Sequence, residues 1–138
     1  MSSRAWLAAT LLLSNVSCDA RSNESLRAQQ SVAHLCWIEN RIRNAANAEK
    51  TSFLADFARS PCPAPDACTM RDACVSAYTL HVDALGLTAA AKQLIADQRD
   101  ADAAGILGAA ETKLKEAGPK IAQCTSLSAD LRRAYSVE

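Results

Sequence analysis

Aromatic side chains are scarce: Phe, Tyr and Trp together make 4% of the chain. Any core must therefore be built from aliphatic and small residues. Excess charge is missing too, with 15 Lys+Arg against 15 Asp+Glu and no cationic run. That argues against nucleic acid as a partner, because phosphate backbones are met by a basic face. No apolar run approaches the ~20 residues needed to cross a bilayer as a helix. There is no internal repeat and no low-complexity block. Four Gly, four Pro and abundant Ala, Leu, Arg and Glu favour helix.

Catalytic signatures are absent as well. Histidine occurs twice, at His34 and His81. There is no GxSxG, no HExxH, no HxxxH, no CxxC and no Gly-rich phosphate loop. A hydrolase needs a nucleophile, a base and an orienting group, and the spacing assembles no such set. Asp100 and Asp102 read as a solvated face or a helix cap, and Glu111–Lys115 as an ordinary surface pair.

What is present begins with an address. Met1–Ser2–Ser3–Arg4 gives a short positive start, Ala5 to Leu13 is apolar except for Thr10, and small polar residues follow from Ser14 to Ala20. This is the layout of a secretory signal peptide over residues 1–20. Val16–Ser17–Cys18 resembles a bacterial lipobox, with Asn15 standing where that pattern has an aliphatic residue. The resemblance implies cleavage before Cys18 and a lipid on its sulfur, which would anchor the chain to a membrane. The competing outcome is cleavage after Ala20 or Ser22. Either way residues 21–138 form a single helical domain, of a length that supports one modest core. Asn23–Glu24–Ser25 is a glycosylation sequon, meaningful only in a eukaryotic source.

Cysteine then organises the domain. Cys62, Cys68 and Cys74 stand at equal spacing within a stretch holding Pro61, Pro63 and Pro65. With Cys18 set aside, five cysteines remain, and in an exported protein most should be bridged. Cys36 lies about 23 residues before the expected end of the first helix, roughly 35 Å along its axis, whereas bridged Cα atoms lie within about 7 Å. Cys36 is therefore expected to be a buried free thiol. Cys62–Cys68 with Cys74–Cys124 is the preferred pairing, and Cys62–Cys74 with Cys68–Cys124 the alternative.

Apolar periodicity predicts the helices. The first runs from Ser25 to Ala58, with Ala28, Val32, Leu35, Ile38, Ile42, Ala45, Phe53 and Phe57 on one face. The second starts at Asp66 or at a capping box, Thr69-x-x-Asp72, and stops at Gly86. The third covers Ala89 to Ala117, with small residues Ala101, Gly105 and Gly108 as its seam and a bend near Asp100–Asp102. Gly118–Pro119 is the next joint, and Ile121 to Tyr135 the fourth helix. Short connections make this an all-α, up-down antiparallel bundle of four helices, or five if the third breaks, stapled by disulfides.

Met70, Cys74 and His81 share a face and are soft or borderline ligands. Cys74 and His81 stand two turns apart, about 10 Å along the axis, too far for one ion, so no metal or cofactor is expected. Cys68 near a helix start is the one feature in favour of thiol chemistry. The expectation is an exported, lipid-anchored helical protein of the bacterial cell envelope or periplasm. It would bind an envelope protein and perform no catalysis. The alternative is a periplasmic metal or thiol-redox handler using Cys, His and Met.

Overall fold

The computed structural model describes residues 16–138, with side chains from Arg21 onward. Among these residues all regular structure is helical: α1 spans Val16–Asn44, α2 Asn47–Arg59, α3 Pro65–Ala96 and α4 Asp100–Tyr135. Residues 1–15, which carry most of the export signal, lie outside the described part. Of Cys18 only its place in α1 is described.

Four helices are present, but the chain divides them differently from the sequence pattern. The expected first helix breaks at Ala45–Ala46, where Ala46 is extended (φ −61°, ψ 148°). No Gly or Pro marks this point. Lys50 makes the reversal: its buried ammonium donates to the carbonyls of Ile42 at 2.7 Å and Arg43 at 3.2 Å. Those are end-of-helix carbonyls that lack intrahelical partners. The reversal also carries Phe57 back into the core, where it is fully buried. On a straight helix it would lie about 22 Å beyond Ile42. Truncating a buried Phe to Ala costs about 3–5 kcal/mol, so Phe57 anchors α2.

Pro65 opens α3 at the favoured first position, ahead of the expected Thr69 capping box. Thr69 instead donates its hydroxyl back to the Pro65 carbonyl. Gly86 does not stop this helix, and Gly118–Pro119 does not divide α4. Pro119 is exposed, and having no N–H it cannot donate to the carbonyl of Lys115 four residues earlier. The real break is Asp97–Arg99, just before the expected bend. There Gln98 adopts a left-handed φ of 62°, while Gln98 N–H bonds the Ile95 carbonyl and Arg99 N–H the Leu94 carbonyl. This is the helix-ending loop usually built on Gly. Asp100 and Asp102 fall in the first turn of α4, where negative charge meets the positive end of the helix dipole.

The helices alternate in direction. α3 and α4 share the most extensive interface and form a hairpin, tied by Cys74–Cys124 and by Lys113–Asp83 at 3.0 Å. α1 runs antiparallel to α4, with Gln29 donating to the Tyr135 carbonyl and Arg132 to the Cys36 carbonyl. The bulky core gathers at one end, from Val32, Leu35 and Ile42 of α1, Phe57 of α2, and Met70 and Tyr78 of α3. Beyond it the hairpin extends as an arm.

The arm's seam is alanine. Met70, Ala77, Ala84 and Ala91 on α3 are buried at seven-residue intervals, as are Ala103, Ala110, Ala117, Cys124 and Leu131 on α4. A strict seven-residue period keeps one stripe facing the partner helix. Alanine lets the backbones approach closely, and the Cα atoms of Cys74 and Cys124 lie 4.8 Å apart. The expected seam of Ala101, Gly105 and Gly108 is instead exposed. A Cβ built on either glycine meets nothing within 4 Å.

Candidate functional site

The structure joins Cys62 to Cys68 and Cys74 to Cys124, and leaves Cys36 as a buried thiol. The first bridge closes the proline corner and the second rivets the hairpin at the level of the core. Stable disulfides belong to an oxidising, extracytoplasmic compartment. No helix among the described residues is long and apolar enough to cross a membrane.

Glu39 is the most deeply placed charged group. It is 1% exposed and links three helices. Arg43 of α1 donates to it at 2.6 Å, Tyr78 of α3 at 2.9 Å and Ser128 of α4 at 3.4 Å. Each partner helps offset the cost of burying a carboxylate. Burial pushes the Tyr78 hydroxyl up to about 12, and the neighbouring Glu39 charge adds to the effect. Burial likewise raises the Cys36 thiol above its usual range. A thiol held protonated is a poor nucleophile, so this cluster acts as a polar crosslink within the core. Of the soft-ligand trio, Cys74 is oxidised, Met70 is packed against it at 3.5 Å, and His81 is half-buried with its pKa lowered by burial and by Lys50.

The accessible site lies on the other side, between α1 and α2. Trp37 is 53% exposed, an unusual position for a large aromatic residue in a chain with so few. Three depressions run together along this face. The central one, about 440 Å³, is lined by His34, Trp37 and Ile38 of α1, Phe53 of α2, and Pro61. One neighbour extends it towards Arg27 and the other towards Asn44.

Local structure fixes these groups. Trp37 stacks on His34 with ring centroids 6.0 Å apart. The Arg41 guanidinium lies 5.4 Å from the Trp37 ring centre and 4.9 Å from that of Phe53. Such cation–π contacts contribute about 0.5–1 kcal/mol each when exposed. Arg41 makes no ion pair among the described residues, whereas Asp56 on the groove wall is paired with Arg59 at 2.8 Å. Apolar periodicity marks Phe53, which packs against the core and also lines the groove, but it does not mark Trp37 or Arg41. Their signal is the seven-residue repeat Arg27–His34–Arg41 on one face of α1, with Trp37 one turn from both His34 and Arg41.

No protein-family model matches this chain, and neither a curated protein nor a solved structure shows significant similarity to it. The functional reading therefore rests on this geometry.

Proposed function

We propose that the protein is an exported helical module of the bacterial cell envelope that acts by binding another protein and not by catalysis. On this reading Cys18 carries a lipid that tethers it to the membrane, and the α1–α2 groove holds the partner. One observation carries the proposal: a half-exposed Trp beside an Arg fixed over two rings, in an apolar groove. Aromatic residues and Arg dominate the energetics of protein interfaces. The export signal, the lipobox-like Val16–Ser17–Cys18 and the two disulfides support the compartment.

The test is site-specific photo-crosslinking in native cells. A photoreactive residue at position 37 should capture a protein, and one at exposed Ala122 on α4 should not. No capture at 37, or equal capture at both, overturns the binding role. Intact mass of the membrane fraction tests the tether. An acylated chain beginning at Cys18 is expected, and an unmodified one beginning at Arg21 or Asn23 refutes it.

A further inference from the structure

Resting on that reading, we infer that the groove's occupant is an acidic peptide segment of the partner, with an apolar anchor flanked by Asp or Glu. Charge complementarity on an apolar floor selects such a segment. Arg27, Arg41 and Arg59 line the run of depressions against two carboxylates, Asp56 and Glu49. Arg59 and Asp56 pair with each other, which leaves Arg27 and Arg41 against Glu49, and among the described residues neither of these two Arg has a carboxylate partner. The contacts with the Trp37 and Phe53 rings bias the Arg41 guanidinium towards the groove. Its N–H edge remains able to donate, in the geometry that suits a carboxylate.

The floor supplies the anchor site. Trp37, Ile38, Phe53 and Pro61 line the central depression, which is large enough for one aromatic or branched aliphatic side chain. From Arg27 to Asn44 the face extends about 26 Å. An extended chain rises about 3.3 Å per residue, so the groove takes a segment of about eight residues. The acidic groups would sit about two residues from the anchor on the Arg41 side and about four on the Arg27 side, given the helical and extended rises.

The test is to pan a library of random peptides about eight residues long on the full chain. Selected peptides are then measured by fluorescence anisotropy. They should carry Asp or Glu beside an aromatic or aliphatic residue. Replacing those acids by Asn or Gln should weaken binding about fivefold at low salt, the scale of one exposed charge pair. High salt should erase that difference. Arg41→Gln should cost a similar factor and reduce the salt dependence to the part that Arg27 supplies, and Trp37→Ala should cost roughly tenfold. Both positions are exposed, and thermal melts will show that the variants fold.

Selection of neutral or basic peptides, or of none, overturns the inference, as does a selected set indifferent to Arg41→Gln. So does binding of anionic phosphatidylglycerol vesicles through Trp37 and Arg41 in place of peptide, or self-association across this face. The crosslink at position 37 separates the two levels. If it captures a partner through a segment without Asp or Glu, the binding role stands and the acidic occupant falls. If it captures no protein, both fall.

Discussion

Removing the Tyr78 hydroxyl tests the polar crosslink at the centre of the core. In Tyr78→Phe, Glu39 keeps Arg43 and Ser128 but loses the donor at 2.9 Å. A hydrogen bond to a charged acceptor contributes about 1.5–3 kcal/mol, and a buried carboxylate left short of a partner incurs its desolvation cost. The variant should therefore be less stable by about 2–3 kcal/mol at neutral pH. The alkaline limb gives an independent check. Tyr78 has its folded-state pKa raised from 10.0 to about 12. Its neutral form is thus favoured by folding, and the associated stability is fully present below pH 10. It is lost as pH rises towards and through 12. Two pKa units correspond to about 2.7 kcal/mol, so the gap between parent and variant should close over that interval. Urea unfolding followed by circular dichroism, with Cys36→Ala in both proteins to prevent thiol exchange, measures it. A gap that stays constant across the interval, or no gap at neutral pH, would refute the assignment.

The two bridges should differ in weight. Cys74–Cys124 closes a separation of 50 residues and Cys62–Cys68 one of 6. Replacing the first pair by Ala should cost about 4 kcal/mol and the second about 2 kcal/mol in chemical unfolding. An equal loss would show that strain or packing, not loop closure, sets the effect. Backbone substitutions should stabilise at identified places. Gln98→Gly relieves a left-handed φ and should add about 1 kcal/mol, and Gly105→Ala and Gly108→Ala should each add about 0.5–1 kcal/mol; thermal melts that fall instead would contradict the local geometry. In the processed protein, with Cys18 lipidated or removed, thiol titration should find one reactive group in denaturant, Cys36, and almost none in the native state. Ready native labelling would place that sulfur at the surface.

Helix was legible throughout, but helix ends were legible only where local chemistry outweighed packing. Pro61 and Pro65 bracket the corner because ring sterics act within a residue or two. Gly86, Gly118 and Pro119 look like ends and are not, because their buried neighbours Ala84 and Ala117 pack in the hairpin seam and carry the helix past them. Conversely, Asn44–Ala45–Ala46–Asn47 looks helical and breaks, because Lys50 and Phe57 gain more from the fold-back than one more turn provides. The alanine seam was readable in principle from Ala103, Ala110 and Ala117. It was masked by the assumption that the smallest residues, Gly105 and Gly108, mark the contact. The groove was the least visible, since Trp37 and Phe53 come from what reads as one helix and meet only after the chain reverses.

The alanine lining also sets how the arm breathes. Alanine side chains hide little apolar surface, so parting the rods between residues 84 and 117 needs far less energy than melting the base. Amides there should exchange with deuterium well before those around Tyr78 and Leu131. The sulfur rivet at the root keeps the two rods together whenever the tip opens, so every reclosure is a fast, intramolecular zip and not a search.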